Sequence, residues 1–276
     1  MIRVIYPEIL GGYNIKIEEA PYQINYGDIC GGVLINDLWA ITTAHCGTDS
    51  KYIRIGSKYR LRGPKVKILV HIVHPLFGKL HEFDYDLQLL RFHRRLRFNK
   101  LVQPIGISDG ECGNSIYVSG WGYPKEKGEY QDILQQVELK SVPMDICQKV
   151  NQSWYNNTLT NRMFCAGGGS HDACQDSVNR IMDNRFALEL SLCCSSDHVR
   201  ESAGFHTPPL SKGLKTFKHC FLFLMYQGDS GGAAVAYGRL VGLSTFGYGC
   251  GRNIPGVYLN VSEPTIREWI RTIAEV

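Results

Sequence analysis

Three short segments of the chain combine a histidine, a carboxylate and a serine with small residues. They are Thr42-Thr43-Ala44-His45-Cys46, Asp84-Tyr85-Asp86-Leu87-Gln88-Leu89-Leu90 and Gly228-Asp229-Ser230-Gly231-Gly232. These are the residue types that amide hydrolysis requires. A serine oxygen must be made nucleophilic by a neighbouring base, a carboxylate must hold that base in one tautomer, and donors must meet the developing oxyanion. Histidine suits the base because it gains and loses its proton near neutrality. Glycines beside the serine let backbone N–H groups approach the oxyanion. Each segment alone is a weak signal: Ala-His-Cys is commonly structural, and Gly-Asp-Ser-Gly-Gly can be a glycine turn. Together they point to acyl transfer.

The elements that must position these segments read as short strands. Val33-Leu34-Ile35 and Ile68-Leu69-Val70 are apolar runs, and Gly11-Gly12, Gly31-Gly32 and Gly63-Pro64 punctuate them. The pattern continues through residues 113–165 and resumes over 228–262, with a connector near 104–112. Only the last segment, 263–276, has helical spacing, with Ile266, Trp269, Ile270 and Ile273 on one face. An all-β chain with a terminal helix suggests barrels rather than an α/β sheet.

The composition fits a folded protein: 276 residues, 44% hydrophobic, with a net charge of +4 that calls for no nucleic-acid partner. Ten cysteines point to an oxidising compartment and a secreted protein. Zinc is disfavoured because Cys193-Cys194 is the only tight pair. Sequons at Asn151, Asn156 and Asn260 agree with secretion. No run is long enough to span a membrane, and residues 1–8 lack the apolar core of a signal peptide, so an N-terminal truncation is expected.

From Ile9 to Val276, one internal block apart, the chain resembles the trypsin/chymotrypsin-like serine proteases. In detail it looks most like invertebrate trypsins, especially mite group 3 allergen trypsins and their scabies-mite paralogues. The order His, Asp, Ser agrees with that family. The resemblance implies two antiparallel six-stranded β-barrels, over about 9–108 and 113–262, followed by the helix. It implies His45 as general base, Asp86 as orienting carboxylate and Ser230 as nucleophile, with the N–H groups of Gly228 and Ser230 as the oxyanion hole. Asp172, two residues before Cys174, falls at the base of the specificity pocket and selects Arg or Lys, with Gly247 and Gly256 leaving the pocket open. Disulfides Cys30–Cys46, Cys147–Cys165 and Cys174–Cys250 are implied. Residues 1–8 become a propeptide remnant, and the freed Ile9 ammonium would pair with Asp229. No metal or other cofactor is implied. Expected partners are protein and peptide substrates, an activating protease and protease inhibitors; the chain is expected to be a monomer without nucleic-acid or membrane contacts.

Several features depart from the family pattern. Glu8 precedes Ile9 where trypsinogens carry Lys or Arg, so activation by another protease is expected. Thr245 replaces a serine beside the catalytic carboxylate, Phe246 a tryptophan, and Ala233 a proline. Asp84 reads as a decoy, a solvated or turn carboxylate. The stretch Gly56–Lys67 carries Lys58, Arg60, Arg62, Lys65 and Lys67 and no carboxylate, so no calcium site is expected there. It and the run Arg91, Arg94, Arg95, Arg97, Lys100 read as solvated basic faces. Residues 176–227 interrupt the family pattern, and their removal restores Asp-Ala-Cys-Gln-Gly-Asp-Ser-Gly-Gly. The pyrimidine-rich codons implied by Phe221 to Gln227 suggest a retained intron. The block and the non-basic activation site favour a rival reading, a catalytically silent paralogue acting as a binding or decoy protein; the three intact segments favour the enzyme.

Overall fold

The computed structural model describes residues 12–110, 113–122, 131–150, 155, 158–168, 229–247 and 254–276. Six strands close the first barrel: β2 (Gln23–Tyr26), β3 (Cys30–Leu34), β4 (Trp39–Thr42), β5 (Tyr52–Arg54), β6 (Lys65–Val73) and β7 (Gln88–Phe92). They run in the order β2-β3-β4-β7-β6-β5, all neighbours antiparallel. Closure leaves no open edge to recruit another chain.

The second barrel is built from β8 (Ser115–Gly120), β9 (Gln135–Val142), β10 (Met163–Ala166), β11 (Ala233–Ala236), β12 (Arg239–Phe246) and β13 (Gly256–Asn260). Their order is β9-β10-β13-β12-β11-β8, and pairing of β8 with β9 closes the ring. The short β1 (Tyr13–Asn14) joins this second barrel, pairing with Gln136 and Gln135 of β9. The chain thus touches the second barrel before it builds the first. A helical turn, α1 (Met144–Val150), follows β9 and is tied to β10 by the Cys147–Cys165 disulfide.

Alternation along the strands explains the burial. In β3, β4 and β7, Leu34, Ala40, Leu90 and Phe92 fill the first barrel, while the alternating Val33, Ile41 and Leu89 pack into the seam between barrels. In β11, β12 and β13, Ala234, Val241 and Tyr258 fill the second barrel, while Ala233, Val235, Leu240 and Leu259 reach the same seam. These strands are covered on both faces, so they read as unbroken apolar runs rather than clean alternation. The run Ile68-Leu69-Val70 behaves differently. A register shift between Ile68 and Val70 leaves Ile68 buried and turns Leu69 and Val70 outward.

The terminal helix is α2 (Pro264–Ala274), one or two residues shorter at each end than its spacing predicts. Glu263 caps it by accepting from the N–H groups of Thr265 and Ile266, with Pro264 in the first turn. It buries Ile266, Ile270 and Ala274 in the seam. It also reaches the first barrel, where the Asn36 amide donates to the Ala274 carbonyl at 2.8 Å and Trp269 packs on His74.

Candidate active site

His45 sits in a single 3-10 turn, Ala44–Cys46, directly after β4. The Cys30–Cys46 disulfide ties this turn to β3. Asp86 precedes β7 and is fully buried. Its Oδ2 lies 2.6 Å from His45 Nδ1, and its Oδ1 accepts the His45 backbone N–H at 2.9 Å. The two side chains are 1% and 0% exposed. A carboxylate so placed keeps the proton on Nδ1, orients the ring and leaves Nε2 as the basic nitrogen. Gln88, two residues on, was not singled out by the sequence. Its buried Nε2 donates to the carbonyls of Thr43 and Gly47 at 2.9 and 2.8 Å, pinning both ends of the histidine turn. Its place in the alternation of β7 after Asp86 is the only sequence signal for that role.

Ser230 lies in a tight turn leading to β11, with its backbone tied to both barrels. Its carbonyl accepts from Gly31 N–H of β3 at 2.8 Å, and the next residue, Gly231, donates to the Ser244 carbonyl at 2.8 Å. Gly231 has φ +77°, and a Cβ there would strike Thr42 Oγ1 and approach the Gly31 carbonyl oxygen to 2.6 Å. Glycine is required on both counts. Thr42 in turn donates its hydroxyl to the Gly31 carbonyl at 2.7 Å, three residues before His45. The serine and histidine segments therefore meet through Gly31 and Thr42.

Asp229 is 1% exposed. Its Oδ1 accepts the Gly122 N–H at 2.7 Å, while Oδ2 has no hydrogen-bond partner among the described residues. Burial pushes this carboxyl up from 3.8 to about 7, against the opposing pull of the Gly122 N–H.

Asp84 lies in a turn, as one of the two expected readings has it, but it is not solvated. It is fully buried and held by Arg162, whose Nε donates to Oδ1 at 2.6 Å and whose Nη2 donates to Oδ2 at 2.8 Å. Thr245 keeps its hydroxyl but directs it at the backbone, donating to the Leu243 carbonyl and accepting from Leu259 N–H, both at 3.2 Å. Phe246 is 3% exposed and packs on Phe83, 4.7 Å between centroids, and Phe83 in turn meets the His45 ring edge-on. Gly256 borders the Tyr258 ring, and a Cβ there would sit 3.3 Å from Tyr258 Oη.

Of the remaining expectations, Gly247 directly follows β12, while Ile9, Asp172, Cys174, Gly228, Cys250 and the block 176–227 lie outside the described residues. Among the described residues, no helix is long and apolar enough to cross a membrane.

Comparison with known proteins agrees with this geometry. The family model described as trypsin matches residues 9–177 and 207–270, leaving 178–206 unmatched. The chain is 28% identical to a trypsin of Phaedon cochleariae, over 98% of this chain and 89% of that protein. It is 26% identical to trypsin 5G1 of Aedes aegypti, over 96% of this chain and 85% of that protein. Its fold is similar to that of neuropsin, a serine protease expressed in the limbic system of mouse brain. That likeness has a TM-score of 0.69 at 23% identity and covers 95% of this chain and 98% of that one.

Proposed function

The chain belongs to the trypsin family of serine proteases, and from that premise we propose that it is an endopeptidase cutting after Arg or Lys through an acyl-enzyme on Ser230. The observation that carries the proposal is the two-point hold of Asp86 on His45, through Nδ1 at 2.6 Å and the backbone N–H at 2.9 Å. Ser230 Oγ attacks the scissile carbonyl carbon and passes its proton to His45. The C–N bond then breaks as His45 protonates the leaving amine, and water, deprotonated by the same imidazole, hydrolyses the ester. The N–H groups of Gly228 and Ser230 hold the oxyanion. Asp172 is assigned to receive the substrate cation, and Gly247 and Gly256 to leave room for its long side chain.

Asp229 is assigned to activation. A buried carboxylate with one oxygen unpartnered among the described residues suits an ammonium, and cleavage before Ile9 creates one. Glu8 makes another protease the activator. The reading carries with it a secreted, monomeric zymogen that acts on proteins and is open to protease inhibitors.

The test is covalent labelling by a fluorophosphonate together with ester hydrolysis, after cleavage between Glu8 and Ile9. Ser230 should be labelled, and arginyl and lysyl esters should be cut in preference to phenylalanyl ones. An unlabelled serine in correctly processed, folded protein would overturn the proposal.

A further inference from the structure

We infer that Asp84 and Arg162 form a clamp between the two barrels that positions the Asp86 carboxylate against His45. This rests on the reading of His45, Asp86 and Ser230 as the reacting set and adds a positioning pair to it.

The clamp is complete at both ends. Asp84 Oδ1 accepts from Arg162 Nε at 2.6 Å and from Thr160 Oγ1 at 3.0 Å, and Oδ2 accepts from Arg162 Nη2 at 2.8 Å. Two parallel bonds to a planar fork fix direction as well as distance. Arg162 belongs to the second barrel: it precedes β10, and its carbonyl accepts from Asn260 N–H of β13 at 2.8 Å. Asp84 belongs to the first, in the loop entering β7. Its N–H donates to the His81 carbonyl, and its own carbonyl accepts from Gly78, both at 3.1 Å.

Tyr85, between the two aspartates, links the clamp to the reacting pair. In extended chain, residues two apart point the same way. Here Tyr85 has φ +54°, an uncommon value for a side chain of this size. The two aspartates consequently serve different barrels, Asp84 reaching Arg162 and Asp86 reaching His45. The Tyr85 ring is held in this conformation by its neighbours. It stacks on His74 at 4.4 Å and 8°, and the Arg162 guanidinium lies 4.7 Å from its centroid.

His45 and Asp86 come from the first barrel, and Ser230 leads into the second. The reach of base to nucleophile thus depends on how the barrels sit. A misplacement of about 1 Å costs on the order of 10²-fold in turnover, and the clamp closes two residues before the carboxylate that sets the imidazole.

The test compares Asp84→Asn and Arg162→Lys with the wild-type chain after cleavage before Ile9, each normalised to fluorophosphonate-labelled sites. Per-site kcat should fall about 10- to 100-fold with KM within about threefold. The acid limb of kcat/KM should move to lower pH as the imidazole loses carboxylate support. Val241→Ala, which opens the second barrel's interior, should lower the melting temperature and leave per-site kcat and the limb alone. If Asp84→Asn does not fold, Arg162→Lys decides, since it keeps the charge and loses the fork. A labelled wild type whose variants keep wild-type per-site kcat and acid limb overturns the clamp alone. An unlabelled wild type removes the underlying reading, and the clamp with it.

Discussion

Gly122 donates its backbone N–H to the buried Asp229 carboxylate at 2.7 Å, yet burial still pushes that carboxyl from 3.8 to about 7. The folded-state value lies above the unfolded one. Its contribution to stability is therefore complete below about pH 4 and is lost as pH rises through about 7. A shift of about three pH units corresponds to a loss on the order of 4 kcal/mol. In the chain not yet cut before Ile9, Asp229→Asn should melt above wild type at pH 8, with the gap closing by pH 4. Thermal melts across that range check this, and a gap that widens toward pH 4 contradicts it.

Replacing Asp86 by Asn keeps the size of the side chain and removes its charge. Nδ1 of His45 would then face an amide, and the proton would no longer be held on that nitrogen. Turnover of an arginyl ester should drop on the order of 10⁴-fold, with far-UV circular dichroism unchanged. Loss within tenfold would argue that His45 is oriented by other contacts.

Gly231→Ala meets two obstacles at once, φ +77° and the atoms of Thr42 and Gly31. The backbone strain alone costs about 1–3 kcal/mol, and relieving the collision moves the turn that carries Ser230. Urea unfolding should show the loss, and fluorophosphonate labelling should slow in the folded fraction. Wild-type stability with wild-type labelling would show that the turn has another arrangement.

Gln88→Met removes the amide that holds the histidine turn. The Gly47 carbonyl keeps its bond from Tyr26 Oη at 2.6 Å, whereas the Thr43 carbonyl loses its donor from Gln88. One buried acceptor left unsatisfied costs about 1–3 kcal/mol. Chemical denaturation measures this, and a change below about 0.5 kcal/mol would mean that another donor takes its place.

The barrels were legible in the sequence, and the residues proposed to react stand out there for a different reason. His45, Asp86 and Ser230 sit in segments whose neighbours are restricted by short-range chemistry: a cysteine to brace the histidine, an apolar strand after the aspartate, glycines about the serine. The burial of Asp84 is not legible because its environment is set by Arg162, 78 residues away along the chain. A carboxylate in a loop looks solvated until the fold supplies that guanidinium. The left-handed Tyr85 is hidden for the same reason, since nothing local to an aromatic residue announces positive φ. Thr245 shows a finer limit: residue type preserved the hydroxyl but could not say which acceptor it would choose.

The docking of the terminal helix has a consequence for biosynthesis. Residues 264–274 leave the ribosome after every strand of both barrels, yet they supply Ile266 and Ile270 to the inter-barrel seam and meet Asn36 and His74 near the start of the chain. A nascent polypeptide arrested before this point holds the strands of both halves with their shared joint still wet. Maturation of the first barrel is thus expected to wait on a segment made after it, and chaperone occupancy on stalled nascent chains should end only when that segment emerges.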